Sequence, residues 1–590
     1  MTEALATFRS AVHGADRSRR LGAFLLLAWF ALCTQLLAMY WEQSAWTMPD
    51  ADDAMRLVQV REFLAGHGWF DLHEARLSPP LGYDSHWSRF IDVGLAGLYL
   101  LFRAFADQAT AERLMAVTWP MLWLLPAMAS VAAIARRLGG RDAAFIVLLL
   151  AAFCGPGMQQ FRPGRIDHHN IHIALSLAVV AATVWSDRLR WAAWVAGALS
   201  GLALAIGFEN LPFLMMCGAA FGLRYIVSPV AARALREYGL ALAASTLAIF
   251  LCSVPPSRWT HPVCDMIAIN SAFAVIAAGL AVAAASRWRS ERLGARIVSI
   301  GLSGALAAAI FLAIEPRCSG GVYAMVDPAI RPIWLDHVSE TKPMLEIIQR
   351  AGASGLGIVA FPAVALIAAF LVVRRAGRLG DFGLLAAWAA FLLSIAYMMA
   401  ANRGVSYAVW LGAPFVAAAL GEAFSALRWS SVALRFAVTL MLTPTAITVA
   451  TVALASAAGE RQLNMNSAER QACVRRDNFA PLLDVPKGLV AVNELEWGPY
   501  VLAWSPHSVL AAPYHRIPEG IVASYRIFNS PPDQAHQEID KHHVDYLFVC
   551  GKAEANQESG SLIARLQAGA VPDWLKVVAP GSPAIYRVQR

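Results

Sequence analysis

Thirteen stretches of this sequence are apolar enough to sit against lipid, and they limit what the chain can become. A bilayer-crossing helix needs about 20 mostly apolar residues. The candidates are 20–40, 112–135, 143–157, 171–186, 191–208, 211–226, 238–254, 268–286, 297–314, 352–373, 381–400, 404–426 and 432–457. In hydrocarbon every backbone polar group must be satisfied within the segment, so each stretch is expected to be a helix. Composition agrees: 58% of the 590 residues are hydrophobic, 15% are charged and the mean hydropathy is +0.51, against roughly 25% charged in an average soluble domain. An ordinary soluble enzyme and a disordered chain both need more polar surface and are excluded. A further apolar stretch, 91–106, contains Arg103 and follows Arg89 and Asp92; we read it as a helix lying at the interface.

Arginines give the orientation, because cytoplasmic loops carry an excess of Lys and Arg. Arg17, Arg19 and Arg20 precede the first span and place the N-terminus in the cytoplasm. Every second loop is then basic: Arg136, Arg137 and Arg141; Arg188 and Arg190; Arg233 and Arg236; Arg287, Arg289, Arg292 and Arg296; Arg374, Arg375 and Arg378; Arg428. Counting 91–106 as a span would break this alternation. The net charge of +7 therefore belongs to a membrane face and not to a nucleic-acid groove. The first span is long and lacks an A-x-A cleavage site, unlike a removed signal peptide. High Ala and Arg usage suggests a bacterial inner membrane, with the outer side periplasmic.

The expected architecture is a mainly α polytopic membrane domain, 1–457, with long outer loops at 41–111 and 315–351. A small periplasmic α/β domain follows at 458–590. Strand-like runs at 490–492, 509–512, 546–550 and 584–588 and a helical stretch at 533–541 support the α/β reading. The 8 cysteines include no CxxC pair. Most lie in or beside apolar runs and read as small buried hydrophobes. Cys473 and Cys550, in the tail, are placed to form a disulfide if the tail is periplasmic.

Unusual polar groups collect on the outer side. The first loop opens Pro49-Asp50-Ala51-Asp52-Asp53, and a later loop reads Arg162-Pro-Gly-Arg165-Ile-Asp167-His168-His169-Asn170. Glu209-Asn210, His337-Val338-Ser339-Glu340 and Asn402-Arg403 complete the set. Singly, each has an ordinary explanation: a helix cap, a surface charge, an arginine reaching a headgroup. Together they mark one face, where ionisable groups are costly unless they pair or bind something. Carboxylates with an imidazole suit Mn²⁺ or Mg²⁺. A zinc site on His168 and His172 would lack a strong third ligand. No P-loop, strand-linked G-x-G-x-x-G or G-x-S-x-G elbow is visible, so a donor reached from outside has to be membrane-borne.

These motifs, in order and spacing over 20–457, resemble the oligosaccharyltransferase catalytic subunits of the GT-C class of membrane glycosyltransferases. The resemblance implies a metal held by Asp52, Asp167, His169 and Glu340. Asp52 matches the family's first-loop aspartate because Arg61 follows nine positions on; Asp53 is the alternative. Asp167-His168-His169 matches the Asp-x-His form of the second motif. His337-Val338-Ser339-Glu340 keeps the valine and glutamate of the later-loop motif but not its first residue, and Arg403 matches an arginine set against the donor's phosphates. The family's acceptor-reading Trp-Trp-Asp-Tyr-Gly is not kept. The nearest segment is Glu494-Leu495-Glu496-Trp497-Gly498, and a distinctive Pro513-Tyr514-His515-Arg516 lies beyond it. Trp497, His515 and Arg516 are candidate acceptor contacts. The implied reaction is metal-dependent, inverting transfer of a sugar or oligosaccharide from a polyprenyl phosphate or diphosphate to a protein, lipid or polysaccharide. Asp52 and Glu340 would be the catalytic carboxylates. The alternative is addition of one sugar from a polyprenyl monophosphate to lipid A, another glycolipid or a polysaccharide. A transporter would place ionisable groups at mid-membrane instead.

Overall fold

The computed structural model describes residues 2–45, 47–288, 290–376, 380–460, 468–551 and 560–590. Arg289 and Arg378, used above for orientation, lie outside these residues, as do parts of the tail. The helices of the apolar region are α1 (Thr2–Tyr40), α2 (Ala51–Leu64), α3 (Arg89–Arg103), α4 (Gln108–Ala152), α5 (His169–Trp185), α6 (Ala192–Ile206), α7 (Leu211–Val227) and α8 (Ala232–Ser253). They continue with α9 (Ile269–Ala285), α10 (Leu293–Ile314), α11 (Met344–Ala351), α12 (Ala353–Ala376), α13 (Phe382–Ala400), α14 (Val405–Ala426), α15 (Val432–Met441) and α16 (Pro444–Ala457).

The thirteen apolar stretches fall on helices, whose ends differ in places from the expectation. Among the described residues, 7 helices are long and apolar enough to cross a membrane, or up to 8 if a bent pair counts as one span, and four more are shorter. The stretches 112–135 and 143–157 are two helices that meet at a kink within α4: Gly139 and Gly140 leave helical geometry beside Arg136, Arg137 and Arg141, and Gly140 takes φ +75°, which its missing Cβ permits. α4 also stops at Ala152 rather than running to 157. The stretch 432–457 is bent by 55° between α15 and α16, where Pro444 starts a new helix capped by the Thr443 hydroxyl.

α5 sets the two ends of the bundle apart. Its 17 residues rise about 25 Å. At its C-terminal end Arg137 bridges Asp187 at 2.9 Å and Asp381 at 2.5 Å, gathering the basic loops. At its N-terminal end stand Asp167 and His169.

The charges flanking 91–106 turn inward. Asp92, at the start of α3, is fully buried and pairs with Arg56 of α2 at 2.8 Å and Arg89 at 3.0 Å. Leu100, Leu101 and Phe105, farther along, are exposed.

A two-stranded hairpin, β1 (His73–Glu74) and β2 (Tyr83–Asp84), lies in the first long loop. The tail forms a mixed sheet of β3 (Leu489–Val492), β4 (Ser508–Val509), β5 (Tyr546–Val549), β6 (Leu575–Ala579) and β7 (Ala584–Val588), in the order β4-β3-β5-β7-β6. β3 runs parallel to β4 and β5, while β7 is antiparallel to both β5 and β6. The run 509–512 is strand only at its first residue, and β6 has no counterpart in the sequence reading. As an edge strand with Lys576 and Val577 exposed, β6 lacks a clean buried pattern.

The tail is pinned to the first loop. Tyr500 donates to the Met48 carbonyl at 3.1 Å, Arg61 donates to the Ala503 carbonyl at 2.6 Å, and Ser78 and Val509 exchange backbone bonds with residues of the other segment. Cys473 and Cys550 form a disulfide, and so do Cys264 and Cys318. The general reading of the apolar cysteines is corrected by that second bridge and by Cys252, which is exposed.

Replacing Asp92 with Ala would leave Arg56 buried with its main countercharge gone. The expected cost is about 3–5 kcal/mol, read as a clear fall in apparent melting temperature of the purified protein beside wild type.

Candidate active site

The site begins where two helix N-termini meet. Asp50 caps α2, accepting the Asp52 N–H at 3.2 Å, so the cap explanation holds for this carboxylate. Asp53 is fully buried and accepts the N–H groups of Ile166 at 2.7 Å and Asp167 at 3.0 Å, which clamps the loop before α5 against α2. Arg165 pairs with Asp50 at 3.0 Å, with Asp53 at 3.3 Å and with Asp167. Asp167 in turn accepts the His169 N–H at 3.0 Å and starts α5. Asp53 thus holds backbone, whereas Asp52 lines the cavity.

His169 stands at the centre. Its Nδ1 is 2.7 Å from Glu209 Oε2, and its Nε2 faces Glu340 Oε1 at 3.5 Å and Asp167 Oδ2 at 4.0 Å. Glu209 comes from the short link between α6 and α7, and Glu340 from a turn at Ser339–Thr341. His337, which replaces the first residue of the later-loop motif, turns its ring to the Pro332 carbonyl at 3.0 Å. Arg403 occupies the turn Asn402–Gly404 ahead of α14 and donates to Tyr323 Oη at 3.2 Å. The Asn402 N–H donates to the Lys342 carbonyl at 2.9 Å, tying the Arg403 turn to the Glu340 turn.

Asp52, His169, Glu209, Glu340, Tyr323 and Arg403 line one cavity of about 410 Å³. A neighbouring cavity of about 370 Å³ shares Asp52 and Glu340 and is lined on the tail side by Glu496, Trp497 and Tyr500. Trp497 therefore lies beside the carboxylates. His515 reaches the first cavity, but both His515 and Arg516 are engaged by Asp265, at 2.7 Å and 2.8 Å. They bridge the tail to the loop before α9 rather than presenting free groups. Arg61, nine residues after Asp52, is likewise structural in its contacts: it pairs with Glu112 at 2.8 Å.

Negative charge is in surplus here. Asp50, Asp52, Asp53, Asp167, Glu209 and Glu340 outnumber the permanent cations that stand with them, Arg165, Arg403 and, on the wall of the second cavity, Arg162. Burial, then Asp50, Asp167 and Glu340, push the Asp52 carboxyl well above its usual range. Burial acts the same way on Glu209, but His169 outweighs it and holds that carboxyl below its usual range. An oxygen-rich set with one imidazole and uncompensated charge fits a hard divalent cation. Of the four expected ligands, Asp52, His169 and Glu340 line the cavity and Asp167 is buried next to His169, and the four do not close tightly. Among the described residues, the groups whose ligand atoms lie within 4.8 Å of one another are His168, His169 and Glu209, and His86, Asp265 and His515. His172, half of the pair weighed for zinc, belongs to neither group.

Arg165, Glu209 and Tyr323 were not assigned to the site from sequence. Arg165 had a signal, two residues before Asp167 in a loop already singled out. Glu209 stood among the outer polar groups, but nothing local shows that it meets His169, 40 positions away.

No protein-family model matches the chain, and no curated protein matches it in sequence. Solved structures do. The archaeal oligosaccharyltransferase AglB from Archaeoglobus fulgidus, in complex with an inhibitory peptide and a dolichol-phosphate, is similar with a TM-score of 0.65 and 15% identity, over 90% of this chain and 69% of that one. The oligosaccharyltransferase of the same organism, tethered with an acceptor peptide containing the NVT sequon, gives 0.62 and 14%, over 97% and 74%. Its apo form gives 0.61 and 15%, over 90% and 69%. The chain thus shares the polytopic membrane fold of these structures.

The raised Asp52 carboxyl predicts a pH effect. A group whose pKa is raised by folding costs nothing where it is protonated in both states. Its cost grows as pH rises above the unfolded carboxylate value, about 4, until the folded value is passed. With divalent cations chelated, Asp52→Asn should melt above wild type at neutral pH, and the difference should vanish near pH 4. Thermal unfolding over a pH series checks this.

Proposed function

We propose that this chain is a membrane glycosyltransferase that moves a sugar or oligosaccharide from a polyprenyl phosphate or diphosphate to an acceptor. The reaction takes place on the face opposite the basic loops. That face is the periplasm if the chain resides, N-terminus inward, in a bacterial inner membrane. The observation that carries the reading is that Asp52, His169, Glu340 and Arg403 line one cavity at that end of the bundle, with Asp167 buried next to it, its Oδ2 4.0 Å from His169 Nε2. The similar fold of a structure holding dolichol-phosphate supports a lipid-linked donor.

In this reading residues 1–457 carry the chemistry and 458–590 shape the acceptor side. Asp52, Asp167, His169 and Glu340 would hold Mn²⁺ or Mg²⁺, which when bound neutralises charge on a departing phosphate. Arg403, permanently charged and braced by Tyr323, adds fixed donors for the same phosphate oxygens. Such preorganised charge is typically the largest catalytic contribution. With a hydroxyl acceptor, Asp52 takes its proton as the oxygen attacks the anomeric carbon. The phosphate leaves from the opposite side and the anomeric centre inverts.

A second reading, transfer of a single sugar from a polyprenyl monophosphate onto lipid A, another glycolipid or a polysaccharide, is favoured by one observation. The aromatic-acidic wall of Glu496, Trp497 and Tyr500 stands where the family's sequon-reading motif is not kept.

The test is transfer from defined polyprenyl-linked sugars by the purified protein in liposomes. His169→Ala and Arg403→Ala should each lower turnover by at least about 100-fold, with membrane insertion unchanged, and Arg403→Lys should recover only part of the loss. Turnover near wild type in His169→Ala would remove the metal assignment.

A further inference from the structure

Glu209 is not accounted for by the roles above, although it is closer to His169 than any other carboxylate. Its Oε2 lies 2.7 Å from His169 Nδ1, and its Oε1 accepts the Tyr407 hydroxyl at 3.0 Å. An ionised carboxylate only accepts, so Nδ1 carries the hydrogen. In a neutral imidazole the lone pair then sits on Nε2, the atom directed at Glu340 and Asp167. Tyr407 is fully buried, and its ring stacks on Phe213 of α7 with centroids 4.8 Å apart. It lies four residues after Arg403, in the first turn of α14, so the helix that follows the Arg403 turn also fixes Glu209.

We propose that Glu209, braced by Tyr407, is the positioning residue for His169: it sets the imidazole's tautomer and angle so that Nε2 serves as a metal ligand. This rests on the metal-dependent reading above. A carboxylate behind a ligating histidine is a recurrent device, and its loss typically weakens metal binding by 10–100-fold. The arrangement gives the head of α14 and the turn before it two outputs, Arg403 towards the donor's phosphate and Tyr407 through Glu209 towards the ligand histidine.

The experiment measures Mn²⁺ binding to the purified full-length protein by electron paramagnetic resonance, with no donor or acceptor present. Glu209→Ala should weaken binding roughly 10–100-fold. Glu209→Gln, which can still accept from Nδ1, should recover part of that, and Tyr407→Phe should give a smaller loss. In a His169→Ala background, Glu209→Ala should have no further effect. Unchanged affinity in Glu209→Ala overturns the proposal. An equal loss in the His169→Ala background also overturns it, because Glu209 would then act as a ligand itself or through the fold. If Glu209→Ala does not fold, Tyr407→Phe and Glu209→Gln decide by the same comparison. Wild-type protein that binds no Mn²⁺ removes the metal reading and this inference together. Wild-type binding that His169→Ala weakens and Glu209→Ala leaves intact removes the inference alone.

Discussion

The Arg165 guanidinium is the interaction on which the site depends. It bridges Asp50, Asp53 and Asp167, and so locks the first turn of α2 against the loop that starts α5. Without that cation, several buried carboxylates would share one small volume, which is costly in a low-dielectric setting. With it, Asp53 can grip the backbone of Ile166 and Asp167, and Asp52 is left facing the cavity. The division of labour among three neighbouring acids follows from which of them Arg165 reaches.

A second constraint works from the other side. Glu340 and Arg403 are brought by separate segments, and their turns are joined by the Asn402–Lys342 backbone bond. The segment bearing Glu340 begins at Cys318, which is bonded to Cys264 beside Asp265. Asp265 in turn holds His515 and Arg516 of the tail. The cavity therefore has walls from the helical bundle, the long loop and the tail, linked by bonds between them. The two His515–Arg516 contacts explain a distinctive sequence motif without assigning it to an acceptor.

Much of this was legible in one dimension. Apolar runs and alternating arginines report directly on a bilayer, because lipid imposes the same demand on every segment. The acidic and histidine motifs stood out because charge at such positions needs a reason. Other features were hidden. The exposed β6 carries no clean alternation, and the charges around Asp92 looked like interface signals although they pair inside.

The sequence alone determined a membrane-embedded helical chain, the face on which its polar motifs gather, and the residue types available for holding a cation and a phosphate. Only the tertiary structure decided that Asp52 rather than Asp53 faces the cavity, that Glu209 stands behind His169 and that Arg516 is spent on Asp265. The physical reason is range. Hydrophobicity and loop charge act through solvent and lipid on each segment separately. Pairing between side chains tens to hundreds of positions apart depends on distances of a few ångströms, which exist only once the helices have packed.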